Sequence, residues 1–280
     1  MKTYQTLISA AELAAILDDP QLIIVDVRHD LGDHGLGARK YAESHIPGAH
    51  FLSVENDLAG PRTGRNGRHP LPSPEALAAT LSALGVDERK QVVAYDQAQT
   101  TYSARVWWML RWVGHRNVAV LDGGLDAWTR AGYPISTATP VRKPARFRPM
   151  VSDSPVPVES LVGHLEDIDV TLIDARAADR FRGENETIDP VGGHIPGSHS
   201  RPYARNLNPD NTFKDAAALR AEWLAVLAGR TPAQIVHSCG SGVTACNNVL
   251  AMEIAGLPGS RLYPGSWSEW SADSKRPIAR

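Results

Sequence analysis

The sequence predicts an α/β protein built from two copies of one domain, each a parallel sheet flanked by helices. Three observations lead there. Apolar runs of strand length at 21–26, 91–96 and 118–121 alternate with segments whose apolar residues fall at helical spacing, the alternation of a parallel sheet with helices on its faces. A set of anchors then recurs in order: Ile23-Ile-Val-Asp26 against Leu172-Ile-Asp174 at an offset of 148, His45-Ile-Pro-Gly-Ala-His50 against His194-Ile-Pro-Gly-Ser-His199 at 149, and Gly123-Gly-Leu-Asp-Ala-Trp128 against Gly265-Ser-Trp-Ser-Glu-Trp270 at 142. Finally, the apolar run 234–238 enters Cys239-Gly-Ser-Gly and then a helical pattern through Val249, Met252, Ile254 and Ala255, a strand, a tight loop and a helix in succession.

The elements follow in order. Ser9 and Glu12 form a capping box ahead of Leu13, Ile16 and Leu17 on one face of a short helix. The strand 21–26 closes on Asp26 and leads through a polar stretch to His45. Ser73 and Pro74 open a helix by N-cap and first-turn proline, carrying Leu77 and Leu81 to a stop at Gly85. Strand 91–96 precedes a helix at 103–113 rich in Trp107, Trp108, Leu110 and Trp112, and 118–121 is the last strand of the first copy. Residues 136–157 break the rhythm with five prolines and the basic residues Arg142, Lys143, Arg146 and Arg148, as a linker does; a basic interaction arm is the alternative. The predicted organisation is therefore a domain at 1–138, a linker at 139–157 and a second domain at 158–280. The shorter third offset gives the first copy a few extra residues between its second and third anchors.

With 280 residues, 42% of them hydrophobic, the chain suffices for two domain-sized cores. A formal net charge of −2 gives no reason to expect a nucleic-acid or acidic membrane partner. The two cysteines lie seven residues apart and cannot staple a fold, which points to a reducing compartment. No secretory pattern and no membrane-length apolar run is present, so a cytoplasmic protein is expected. The pairs His45/His50 and His194/His199 flank Pro-Gly rather than sharing a helix face, so a structural hydrogen-bonding role is expected in place of a metal site.

Cys239 carries the chemistry. At a strand end just before a helix, loop amides and the positive helix terminus favour a thiolate; a buried structural cysteine is the bland alternative. A cysteine phosphatase would need an arginine six residues further on to clamp phosphate, and that residue is Ala245. In the first copy the matching strand ends at Asp96, so that copy cannot run the same nucleophilic reaction.

The loop Cys-Gly-Ser-Gly-Val-Thr looks like the active-site loop of the rhodanese-type sulfurtransferases, and its Gly-Ser-Gly form resembles their 3-mercaptopyruvate branch. With the repeated anchors and the Asp96/Cys239 asymmetry, nearly the whole chain resembles the tandem rhodanese family, in which an inactive N-terminal domain accompanies a catalytic C-terminal one. The resemblance implies a Cys239 persulfide, stabilised by the amides of Gly240, Gly242, Val243 and Thr244. It implies a small anionic sulfur donor bound by Arg180, a buttressing Arg176, and a solvated Arg182. The acceptor is expected to be a thiol, small or thioredoxin-like, or cyanide; no cofactor is implied. Ser241, His69 and Glu55 match a relay that protonates the pyruvate enolate, with Asp57 as a rival to Glu55. One departure stands out: the family's second substrate arginine is replaced around Thr187 in Glu186-Thr-Ile-Asp-Pro190. That favours thiosulfate over 3-mercaptopyruvate, whereas the neutral Gly240 and Ser241 favour the keto acid; the loop touches the reacting sulfur and is given more weight. A non-enzymatic persulfide carrier is the remaining alternative. Cys246 is expected to be buried on the helix, Trp270 to pack a core as Trp128 does, and Trp267 to line the mouth of the site.

Overall fold

The computed structural model describes residues 2–141, 143–151, 155–163 and 170–280. The chain forms two compact units. One gathers the described residues of Met1–Ala59, Pro72–Asp153 and Pro209–Phe213, the other those of Gly60–Leu71, Ser154–Asn208 and Lys214–Arg280. This division departs from the sequence boundaries at three places: segments 60–71 and 209–213 each group with the unit that does not hold their chain neighbours, and the expected linker 139–157 is shared between the two units. A hydrophobic pattern locates strands and helices, but it does not say which core a polar connecting segment joins.

In the first unit the order is β1 (Leu7–Ile8), α1 (Ala10–Ala15), β2 (Leu22–Asp26), α2 (Leu36–Glu43), β3 (Ala49–Phe51), α3 (Pro74–Leu84), β4 (Gln91–Tyr95), α4 (Thr101–Trp112), β5 (Val118–Leu121) and α5 (Gly124–Arg130). The strands form a parallel sheet in the order β1-β5-β4-β2-β3. The capping box closes on α1, where the Glu12 amide donates to Ser9 Oγ at 3.2 Å and Glu12 Oε2 accepts from the Ser9 amide at 3.1 Å. Ser73 caps α3, and Gly85 ends it at φ +89°, a left-handed conformation that suits glycine. Helix α2 occupies part of the stretch read as merely polar. Its one buried residue is Gly37, where a methyl would meet the Arg28 carbonyl oxygen at 1.9 Å; close backbone approach, not an apolar face, seats this helix.

The second unit contains β6 (Thr171–Asp174), α6 (Ala178–Phe181), β7 (His199–Ser200), α7 (Ala216–Leu227), β8 (Ile235–Ser238), α8 (Ala245–Ile254), β9 (Arg261–Leu262) and α9 (Ser266–Trp270). Its sheet is parallel too, in the order β7-β6-β8-β9. Strands β6, β7, β8 and β9 thus take the positions of β2, β3, β4 and β5, and the first sheet carries β1 as an extra edge strand. The repeats agree in side-chain detail. Asp26 grips Arg28 and Asp174 grips Arg176, in each case through two guanidinium nitrogens. Trp128 and Trp270 are both fully buried, and their indole N–H groups donate to Pro134 and Pro277 carbonyls at 2.7 and 2.8 Å. His45 Nδ1 and His194 Nδ1 lie 2.7 and 2.9 Å from the carbonyls of Tyr41 and Phe181.

The proline-rich segment forms no helix or strand among its described residues up to Pro157. Much of it is nonetheless tied down. Ser136 bridges His45, the Ala145 amide donates to the Ser82 carbonyl at 2.9 Å, and Phe147 is buried. Arg142 and residues 152–154 lie outside the described residues.

Asp122, just beyond β5, accepts the Phe213 amide at 2.8 Å. Burial, with the Asp210 charge adding to it, pushes its carboxyl up to about 6. A carboxyl raised in the folded state is costly when ionised at neutral pH, and the cost fades as pH falls through the folded and then the unfolded value. Asp122→Asn is therefore expected to stabilise the protein at pH 7 by up to roughly 2–3 kcal/mol, with the gain disappearing near pH 4. Urea unfolding at both pH values tests this; a gain independent of pH would contradict it.

Candidate active site

β8 lies between β6 and β9, and its last residue, Ser238, pairs with Asp174 of β6 where the strand leaves the middle of the second sheet. Cys239 follows it and is 1% exposed. The chain then turns so sharply that the Gly242 amide donates back to Cys239 Sγ at 3.1 Å. Gly242 has φ +73°, and a methyl there would sit 2.2 Å from the Pro264 carbonyl oxygen; both the conformation and the space exclude a side chain. Val243 and Thr244 carry the chain into the ten-residue helix α8, whose N-terminus faces the loop and adds its partial positive charge.

A second loop holds the first. Ser266 Oγ accepts the Cys239 amide at 3.0 Å and donates to the Tyr263 carbonyl at 2.9 Å. The amides of Trp267 and Ser268 donate to the carbonyls of Cys239 and Gly240 at 3.0 and 2.8 Å. Ser266 takes φ +53° to do this, a left-handed conformation uncommon outside glycine. The carbonyls of residues 239 and 240 are thereby occupied away from the sulfur, and an amide faces it.

Segment 60–71 brings His69 to this loop. His69 Nδ1 lies 2.8 Å from Ser241 Oγ, and both residues are buried. The segment is pinned at Gly67, where a methyl would meet the Gly265 carbonyl at 2.9 Å, and at Arg68, whose amide donates to Ser268 Oγ at 3.0 Å. Glu55 belongs to the first unit. There its carboxylate lies 3.7 Å from His29 Nε2 and 3.8 Å from His34 Nε2. Asp57 is engaged locally, accepting the Ser53 amide at 2.7 Å.

The arginines separate into two groups. Arg176 is buried, gripped by Asp174, 3.4 Å from Glu186, bonded to the Gly193 carbonyl and stacked over Trp267. Burial pulls its pKa down, but Asp174, Glu186 and the charge of Cys239 outweigh burial and leave it raised. Arg180 is partly exposed, paired with Glu186 at 2.8 Å and with Asp189 at 3.3 Å. Arg182 pairs at the surface with Glu184. Arg68 joins this set by an ion pair to Asp189. A methyl built on Gly240 would lie 3.0 Å from Arg68 Nη2 and 3.7 Å from both Arg180 Nη2 and Asp189 Oδ2, so the two guanidinium groups and the carboxylate stand directly over the residue after the cysteine. Thr187, in the slot of the family's second arginine, is exposed. Arg68, Asp189 and Ser266 were not singled out from sequence; the residue ahead of His69 being basic was the available signal for the first.

Trp267 corrects an expectation. It is fully buried and donates its indole N–H to the Val191 carbonyl at 2.8 Å, so it underlies the site and lines no mouth. Cys246 is buried on α8 and donates to the Gly242 carbonyl at 3.4 Å. His237 in β8 is held neutral, pushed down to about 3 by burial, and supplies no counter-charge to the thiol.

The first unit shows what the same frame does without a sulfur. Asp96 follows β4 as Cys239 follows β8, and its carboxylate accepts from the amides of Thr100, Tyr102 and Ser103 at 3.0, 2.9 and 3.2 Å and from Ser103 Oγ. Burial raises its pKa while those amides work to lower it. This anion-holding turn is filled by the chain itself.

The chain is thus a duplicated parallel-sheet scaffold, one copy with a self-filled turn and the other with a cysteine under a loop amide. The chain belongs to the rhodanese family: residues 9–131 and 157–273 match the model described as Rhodanese-like domain. It is 46% identical over 276 residues, covering 98% of this chain and 97% of the relative, to a Pseudomonas aeruginosa protein named "Probable 3-mercaptopyruvate sulfurtransferase". It is 35% identical over 240 residues, covering 83% and 79%, to thiosulfate sulfurtransferase of Bos taurus. The crystal structure of SseA from Escherichia coli, described with the rhodanese fold and catalytic mechanism of 3-mercaptopyruvate sulfotransferases, superposes with a TM-score of 0.80 at 32% identity, covering 93% of this chain and 98% of that one. Among the described residues, no helix is long and apolar enough to cross a membrane.

Gly242→Ala is expected to destabilise the second unit by more than about 1 kcal/mol, because alanine is strained at positive φ and meets backbone. It should also abolish activity. Urea unfolding and donor turnover check both; an alanine variant of wild-type stability would contradict the tight turn.

Proposed function

We propose that this chain, a sulfurtransferase of the rhodanese family, takes sulfur from 3-mercaptopyruvate onto Cys239 and passes it to a thiol, small or thioredoxin-like, or to cyanide. The Cys239 thiolate attacks the donor's sulfur. The S–S bond forms as the C–S bond breaks, and that electron pair leaves on carbon as the pyruvate enolate. A proton then completes pyruvate, and the acceptor removes the outer sulfur and regenerates the thiol. The Gly242 amide, with the neighbouring loop amides and the α8 terminus, stabilises negative charge on the sulfur, and Arg176, held by Asp174 and Glu186, buttresses the loop.

The buried 2.8 Å contact between His69 Nδ1 and Ser241 Oγ carries the choice of donor. An enolate has a carbon to protonate, and a hydroxyl paired to an imidazole two residues from the nucleophile supplies a proton path. Thiosulfate leaves as sulfite and needs no carbon protonated. Arg180 serves in this reading as a cation for the donor carboxylate. Glu55 is the acid that the family resemblance implies for the relay, and whether Glu55→Gln impairs the keto-acid reaction selectively tests it. Thiosulfate is the second reading, favoured by the bovine relative's name and by the missing second arginine in 186–190.

Initial rates of pyruvate release from 3-mercaptopyruvate and of sulfite release from thiosulfate, each with cyanide as acceptor, test the assignment. The keto acid should be the better donor by kcat/KM; a clear preference for thiosulfate would overturn it. Cys239→Ser should abolish both reactions. Ser241→Ala should lower kcat for 3-mercaptopyruvate by roughly 100-fold or more, the usual worth of a positioned proton donor, with thiosulfate turnover little changed. Equal loss on both donors would contradict the relay.

A further inference from the structure

Arg68 is unusual among the charged residues around the Cys239 loop. Its Nη1 is paired with Asp189, its Nη2 stands over Gly240, and its Nε is buried with no hydrogen-bond partner among the described residues. Buried guanidinium N–H groups are rarely left unpaired. Arg180 reaches the same space from α6 and shares Asp189 with it. The carboxylate between them is almost fully buried, its side chain 2% exposed. Glu186, also buried, completes a cluster of two guanidinium groups and two carboxylates with no net formal charge.

We propose that Arg68 and Arg180 together form the donor's anion clamp, and that Asp189, lying between them, sets the charge of donor the clamp accepts. The proposal rests on the reading of this loop as the sulfur-loading site. Arg68 supplies from segment 60–71 the second cation that residues 186–190 lack. Its unpaired Nε and the Nη2 groups over Gly240 offer N–H donors to a carboxylate. Of the two carboxylates, Asp189 is the one that reaches Gly240 alongside both guanidinium groups, so at that spot two cations stand with one anion. A monoanionic keto acid then meets a clamp of suitable strength, while the second charge of thiosulfate meets the Asp189 carboxylate across a short distance in a poorly solvated place, where like charges repel strongly. Arg68 and Arg180 touch the donor in this assignment; Asp189 acts through them and by its charge.

The test measures kcat/KM for 3-mercaptopyruvate and thiosulfate in the wild type, Asp189→Asn, Arg68→Gln and the double variant. Asp189→Asn adds one unit of positive charge and should raise the thiosulfate to 3-mercaptopyruvate ratio by about tenfold. Arg68→Gln should raise KM for both donors, lower that ratio, and be partly rescued by Arg68→Lys. The double variant, with net charge restored, should return the ratio toward the wild-type value even if its rates are low. Because the readout is a ratio, uniform loss from loosened packing does not imitate it. An unchanged ratio in Asp189→Asn and Arg68→Gln, with the wild type active on either donor, would overturn the selector and leave the sulfur-loading reading intact. A wild type active on neither donor would overturn both. Should Asp189→Asn not fold, the opposite shift expected of Arg68→Gln decides the matter alone.

Discussion

At the end of β8 the backbone turns so tightly that the Gly242 amide reaches back to Cys239 Sγ at 3.1 Å. This contact depends on Gly242 having no side chain against the Pro264 carbonyl and on Ser266, Trp267 and Ser268 holding the preceding peptide groups from below. A sulfur held this way faces an amide, the start of a helix and a buried arginine. These groups are in place in the fold itself, which is preorganisation in the electrostatic sense. The arginines over Gly240 and the Ser241–His69 pair are arranged around that sulfur and have a chemical use only if it is the reacting atom.

The two copies make a natural comparison of one frame with two occupants. Around Asp96 three amides close on a carboxylate belonging to the chain, so the turn is filled permanently. Around Cys239 the occupant is a free thiol that receives the Gly242 amide. Duplication preserved the strand-end aspartates, the arginines they grip, the histidines that meet the Tyr41 and Phe181 carbonyls and the core tryptophans; it did not preserve the residue at the turn. The structural set is common to both copies, and the residue at the turn is what sets them apart.

Much of this was legible in sequence because the signals are local. A strand running into Gly-Ser-Gly and then into helical spacing marks a turn, and anchors at near-constant offsets mark a repeat. The capping box at Ser9 and the stop at Gly85 closed as written. Helix α2 was not legible, since its seat is a backbone approach at Gly37 and not an apolar stripe. The charged cluster was missed for a related reason. Residues 186–190 were read for the arginine they lack, whereas Glu186 and Asp189 matter as partners of arginines 6 and 121 residues away. Which cation meets which carboxylate is set by tertiary approach, as is the packing of segment 60–71 with the second unit.

The most direct measurement is the mass of the Cys239 peptide after the protein is treated with 3-mercaptopyruvate in the absence of acceptor. One added sulfur atom on that peptide, removed by cyanide, is the expected result. Pyruvate released while the Cys239 peptide stays unmodified, or the added sulfur found on the Cys246 side chain, would contradict a reaction carried by Cys239.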